Sequence, residues 1–191
     1  PSDDIANWFL KKEIKIKGDW AEERNFTPAG WAFQYNNAYY PDVDDTALVG
    51  MFLDRYNKQK NRDDVKQCIA RTKKWIIGMQ SKNGGWGAFD INNTRNYLNY
   101  IPFADHGALL DPPTADVSAR CLSFLLQLGD TNKYEYINKA VKYLLNEQEK
   151  DGSWYGRWGT NYLYGTWSAL SALNLTDFKN KKEVFSRAIN Y

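Results

Sequence analysis

The sequence predicts an all-α fold, an α/α toroid of helix pairs in two layers, and three observations lead there. A block reading aromatic, apolar pair, Gln, Gly, Trp recurs along the chain. The stretches around it carry apolar residues at helical period, alternately apolar on one side and apolar nearly all round. No stretch shows the period-2 alternation of a half-buried strand.

The first clear copy of the block is Trp75-Ile76-Ile77-Gly78-Met79-Gln80, continued by Gly84-Gly85-Trp86; the second is Tyr143-Leu144-Leu145-Asn146-Glu147-Gln148, continued by Gly152-Ser153-Trp154. Gln and Trp are 6 apart in each, and the copies are offset by 68 residues. A worn copy lies upstream as Trp8-Phe9-Leu10-Lys11-Lys12-Glu13 followed by Gly18-Asp19-Trp20, with Glu13 in place of Gln.

Outer helices are expected before each Gln. Val65, Cys68, Ile69, Thr72, Trp75, Ile76 and Met79 fall on one face, as do Tyr134, Ile137, Val141, Leu144 and Leu145, with Lys, Arg, Asn and Gln opposite. Inner helices are expected to start near Asp45, Asp116 and Gly165 and to run through Thr46–Leu53, Val117–Leu125 and Thr166–Leu173. These are apolar on most faces and rich in small residues, as burial on both sides requires. The connections from Trp20, Trp86 and Trp154 to the inner-helix starts span 25, 30 and 11 residues. Regular helices joined by one irregular set of loops place function on those loops.

With 191 residues there is room for one ordinary domain, and the net charge of +2 gives no electrostatic case for nucleic acid or an acidic surface. Aromatics reach 16%, with 8 Trp and 13 Tyr, enough to build either an aromatic core or a cavity lined by ring faces. Cys68 and Cys121 make no disulfide framework, no His/Cys cluster has zinc spacing, and a reducing compartment is the default. The N-x-Thr triplets at Asn25, Asn92 and Asn174 are read as chance in an Asn-rich chain. No apolar run approaches the roughly 18 residues of a bilayer span. The chain opens on Pro1 rather than Met, which points to a native N-terminus further upstream.

The run Tyr39-Tyr40-Pro41-Asp42-Val43-Asp44-Asp45-Thr46 places three carboxylates within four positions. One Asp serves as an N-cap behind Pro41, and that accounts for one carboxylate, or two at most. A calcium loop would need spaced acids ending in Glu. A magnesium-diphosphate site would need a second acidic cluster with cations beside it. What is left is a general acid: crowded carboxylates cannot all ionise, so one keeps its proton to higher pH. Protonating an alkene takes such an acid in a dry pocket, with aromatic faces to stabilise the carbocation.

Asp42-Val43-Asp44-Asp45-Thr46-Ala47 resembles the Asp-x-Asp-Asp signature of class II terpene cyclases, and the Gln…Trp repeats resemble the QW motifs of the triterpene branch. Gly30-Trp31-Ala32-Phe33-Gln34, Ile101-Pro102-Phe103-Ala104-Asp105, Asp111-Pro112-Pro113-Thr114-Ala115-Asp116-Val117-Ser118-Ala119-Arg120 and Gly156–Thr166 resemble squalene-hopene cyclases in order and spacing. Oxidosqualene cyclases share the repeats but alter the acid motif. Diphosphate-handling diterpene cyclases share the acid motif but not these repeats.

The resemblance implies that residues 1–191 are part of an (α/α)6 barrel catalytic domain, with a second α-barrel domain and the remaining barrel helices outside this chain, and that the segment alone is inactive. It implies proton-initiated cyclisation of squalene to hopene-type or hopanol-type products, without cofactor or metal. Asp44 is then the proton donor, tuned by Asp42 and Asp45. Arg120, paired with Asp116, stands at the cation position beside the donor. Phe33, Phe89 and Trp158 face cationic intermediates, Tyr164 assists reprotonation through water, and Tyr40 and Gln34 line the cavity. Phe89 stands where a Tyr is frequent and Ala104 where some members have Cys. The resemblance also implies a homodimer held peripherally on the cytoplasmic side of the membrane. His106 is read as a loop residue. Competing readings are a related cyclase acting on another linear polyprenoid, a non-catalytic α-toroid, which needs no Asp triplet, and a protein prenyltransferase-like barrel, which needs a zinc site.

Overall fold

The computed structural model describes residues 2–18, 26–34, 36–95, 97, 100 and 110–191. Among these it contains α1 (Ser2–Lys12), α2 (Val43–Lys60), α3 (Asp63–Gly78), α4 (Ala115–Gln127), α5 (Glu135–Asn146), α6 (Tyr162–Asn174) and α7 (Lys181–Ile189). The described residues carry no strand, only an isolated antiparallel bridge between Trp31 and Asp42. Helices α2, α4 and α6 pack side by side as an inner row; α3, α5 and α7 lie against them as an outer row, and α1 packs on α2 and α3. This is the two-layered arrangement expected from sequence, with α7 an additional outer helix.

Each helix forms for local reasons. Asp42, in extended backbone, accepts the Asp45 N–H at 2.8 Å and starts α2 two residues before the expected Asp45. Asn61, at φ 49°, ends α2 in the left-handed conformation and leaves only Arg62 before α3. Along α3 the buried residues Val65, Cys68, Thr72, Trp75 and Ile76 keep 3–4 spacing, and α5 does the same with Ile137, Ala140, Val141, Tyr143 and Leu144. Of the inner helices, α4 is buried nearly all round because α2, α5 and α6 surround it. Helices α2 and α6 depart from that expectation: Leu48 and Trp167 stay exposed, facing a cleft of about 780 Å³ between the inner helices. Gly50 lets α2 and α4 approach, since a Cβ there would stand 2.6 Å from the Phe124 ring.

The repeat is a stapling device. Gln80 donates to the carbonyls of Gly84 and Tyr136, both at 2.9 Å, and Gln148 to those of Gly152 and Val184, both at 3.0 Å. Each Gln thus closes its own loop and grips the first turn of the next outer helix, α5 or α7. The buried indoles of Trp86 and Trp154 donate to Ile76 and Leu144 carbonyls at 2.7 and 2.6 Å. Their backbone N–H groups donate to Ser118 and Thr166 on the next inner helix, at 2.9 and 3.0 Å.

The worn copy is completed by Trp31. Its indole donates to the Phe9 carbonyl at 2.9 Å and its backbone N–H to the Thr46 hydroxyl at 3.0 Å, repeating both bonds of Trp86 and Trp154. Trp20, assigned to that role from sequence, lies outside the described residues. Glu13 cannot donate as Gln does. Its carboxylate instead takes both arms of Arg71 on α3, at 2.8 and 2.7 Å, and Lys15 at 3.2 Å.

Candidate active site

The staples put the three inner helices in one register. Thr46, Ser118 and Thr166 each receive a tryptophan N–H, and two positions before them stand Asp44, Asp116 and Tyr164. The first turns of α2, α4 and α6 therefore bring one carboxylate, a second carboxylate and a phenol together. Arg120 follows one turn further along α4.

Arg120 Nε donates to Asp44 Oδ1 at 3.1 Å, and a terminal guanidinium nitrogen donates to the Tyr164 hydroxyl at 2.7 Å. That hydroxyl lies 3.5 Å from Asp44 Oδ2 and donates to it. Three residues separated by up to 120 positions close a hydrogen-bonded triangle. The pairing of Arg120 with Asp116 expected from sequence is corrected: Asp116 is fully buried and accepts the N–H groups of Val117, at 3.0 Å, and Trp158, at 2.9 Å. It fixes the loop that carries Trp158, while Arg120 is turned to Asp44.

The three clustered carboxylates are divided by environment. Burial pushes Asp42 up to about 7, with the charges of Asp45 and Asp44 adding to it, although the Asp45 N–H pulls the other way. Only 6% exposed, it is the helix cap. Burial also raises Asp44, and the Arg120 cation holds that rise in check. Asp45 is raised by burial and likewise restrained by Arg120. For Arg120, burial works against the charge, but Asp44 and Tyr164 outweigh it and the guanidinium is held more firmly protonated than usual. Asp44 thus combines a protonatable carboxyl with a built-in stabiliser of its conjugate base. Its side chain keeps 27% exposure, whereas Asp42 is buried, so of these two Asp44 is the carboxyl within reach of the cavity.

The aromatic residues singled out from sequence fall into two places. Phe33, Gln34, Tyr40 and Phe89 line one cleft of about 350 Å³. Phe33 is 74% exposed, which excludes a core-packing role within this chain. Gln34 also reaches a neighbouring cleft of about 470 Å³, where Asp45, Trp31 and Leu48 are found. Trp158 stands separately on the loop anchored by Asp116.

Two residues with a part in this geometry carry little signal of their own. Asp111 is buried and accepts backbone N–H groups from Ala88, Phe89 and Asp90 at 3.1, 2.6 and 2.8 Å, so it sets the Phe89 loop. The Val43 N–H donates to Ala88 C=O at 2.8 Å and ties that loop to the acid motif. Trp167 lies on the same helix as Tyr164, three residues on, and its ring centroid lies 5.6 Å from the Arg120 guanidinium carbon. The i,i+3 spacing from Tyr164 was the available clue. Ile101–Asp105 and His106 lie outside the described residues. Among the described residues no group of His, Cys, Asp or Glu is arranged to hold a metal ion, and no helix is long and apolar enough to cross a membrane.

The family model of the squalene-hopene cyclase C-terminal domain matches residues 3–191. The chain is 57% identical over 186 residues to the squalene-hopene cyclase of Zymomonas mobilis, covering 96% of this chain and 28% of that protein. It is 58% identical over 174 residues to the squalene-hopene cyclase of Schizosaccharomyces japonicus, covering 90% of this chain and 26% of the relative. The enzyme of that name from Alicyclobacillus acidocaldarius is 49% identical over 171 residues, 88% of this chain and 27% of its own length. The chain thus spans little more than a quarter of the curated relatives it matches.

Proposed function

The chain belongs to the squalene-hopene cyclase family, and on that premise we propose that it supplies the proton donor and part of the cavity wall of an enzyme cyclising squalene to hopene-type or hopanol-type pentacyclic products. The observation that carries the reading is the triangle of Asp44, Arg120 and Tyr164. A linear polyene has no basic atom, so the reaction starts only if a carboxyl gives its proton to a double-bond carbon. The electron pair of that bond forms the new C–H bond, and a tertiary cation is left.

Asp44 does this best of the three. It is accessible, its proton is retained by burial, and the carboxylate left behind meets a cation at 3.1 Å. Asp42 is occupied with capping α2, and the negative potential around the donor comes from Asp116 and Asp45. Phe33, Phe89, Tyr40 and Trp158 offer ring faces that attract a cation without attacking it. Tyr164, touching both Arg120 and Asp44, is placed to relay a proton from water back to the carboxylate. A hydrocarbon substrate partitions into lipid, so a peripheral membrane location on the cytoplasmic side, and the homodimer implied by the resemblance, belong to the same proposal.

The test is Asp44→Asn in the full-length enzyme that carries this segment, with products extracted and resolved by gas chromatography. Loss of cyclisation with an unchanged circular dichroism spectrum is expected. Normal turnover would overturn the assignment.

A further inference from the structure

The indole of Trp167 touches the proton-donor triangle without belonging to it. Its ring centroid lies 5.6 Å from the guanidinium carbon of Arg120 and 5.9 Å from the Tyr164 ring, tilted by 36°. The residue is 56% exposed, on an inner helix whose neighbouring buried positions are the small Gly165, Thr166, Ser168 and Ala169. Core packing within this chain therefore does not explain a tryptophan there. A guanidinium offers donors along its edges and two flat faces. Arg120 spends its edges on Asp44 and Tyr164, and the indole stands within cation–π range of the guanidinium.

We propose that Trp167 is a positioning residue for the acid: it fixes the Arg120 guanidinium in the one orientation that serves Asp44 and Tyr164 together, and it keeps water from the side on which the indole stands. The inference rests on Asp44 being the proton donor. The charged and titratable groups around Arg120 are Asp44 and Asp45 from α2, with Asp42 behind them, Tyr164 from α6, and Asp116 and Cys121 on α4 itself. Arg55 and Asp130 stand further along the cleft that Arg120 and Trp167 share. Of these, Asp44 alone takes an ion pair from Arg120, so loosening the guanidinium acts first on Asp44. Water on the exposed face would screen the attraction, and the conjugate base formed by proton transfer would lose stabilisation.

The experiment measures kcat, KM and the pH profile for squalene in the full-length enzyme, for Trp167→Ala, Trp167→Phe and Trp167→Leu, each also in an Arg120→Met background. Trp167→Ala is expected to lower kcat about ten-fold, the scale of a partly desolvated cation–π contact, with KM nearly unchanged. The alkaline limb of the profile should move to higher pH, because Asp44 loses the influence that lowers it. Trp167→Phe should recover most of kcat. Trp167→Leu fills volume without a ring face and should behave like Ala; it decides the matter if the Ala variant does not fold. In Arg120→Met the same substitutions should shift neither kcat nor the limb further. An unmoved limb, or an equal loss with and without Arg120, overturns the inference. Asp44→Asn, run alongside, separates the two claims: an active Asp44→Asn enzyme overturns the donor assignment, whereas an inactive one with an unaffected Trp167→Ala overturns only the role of Trp167.

Discussion

Arg120 faces Asp44 across the α2–α4 contact, Nε to Oδ1 at 3.1 Å, although 76 positions separate them in the chain. The contact makes Asp44 a carboxyl whose proton is easier to lose than burial alone would allow. With Asp44 as the proposed donor, proton transfer to a weakly basic alkene would gain from this, because the barrier includes the cost of the carboxylate formed.

Asp44→Asn keeps the shape of the side chain and removes the acidic proton. Squalene cyclisation should vanish, whereas 2,3-epoxysqualene, whose oxygen is far more basic than an alkene, should retain measurable turnover. Product analysis on both substrates with one purified variant checks this.

Arg120→Met removes the influence that lowers Asp44, so the Asp44 pKa should rise further above its ordinary value. The general acid is active when protonated, so the alkaline limb of the rate profile should move to higher pH. On the plateau kcat should fall by about 10² or more, the usual range for an impaired general acid. A pH profile of kcat is the measurement, and a limb displaced to lower pH would contradict the sign.

Asp42 is raised to about 7 by burial. Its neutral form suits the fold, so the stability it contributes is complete below the ordinary value of 3.8 and is lost as pH rises through about 7. Asp42→Asn retains an N-capping side chain and abolishes the titration. The full-length variant should melt with the parent at low pH and above it at pH near 8, by up to a few kcal/mol in stability. Thermal denaturation across that range tests it.

Asp111→Asn leaves one acceptor oxygen where the carboxylate receives three backbone N–H groups. The Phe89 ring should lose its fixed place, and the variant should resemble Phe89→Ala. Phe33→Ala should likewise initiate normally and release partly cyclised products, since a cation has lost its ring face. Chromatography of the product mixtures distinguishes these effects from loss of initiation.

Trp154→Phe deletes the bond to Leu144 O, and Gln148→Ala deletes both bonds that close the loop and hold α7. Loss of the buried Trp154 bond should cost about 1–3 kcal/mol, and loss of each partly buried Gln148 bond about 1 kcal/mol. The melting temperature should fall while the product pattern stays unchanged, because neither side chain touches the triangle.

The sequence by itself determined the helix pairs, the repeat blocks ending at Trp86 and Trp154, and the acid motif, because each is local. Periodicity within about four residues decides a helix face, and a Gln six residues before a Trp brings its own loop with it. Even there locality had limits: with Glu13 in place of Gln the spacing suggested Trp20, and only the bond from the Trp31 N–H to Thr46 shows which tryptophan completes the unit. Partners across helices were decided by the tertiary structure alone. Whether Arg120 turns to Asp44 or to Asp116, both within reach in principle, depends on the register in which α2, α4 and α6 are stapled and on the Trp158 loop occupying Asp116. The cation–π contact between Trp167 and Arg120 depends on the same register. Such choices are settled by packing between elements distant in sequence, where no residue spacing carries the information.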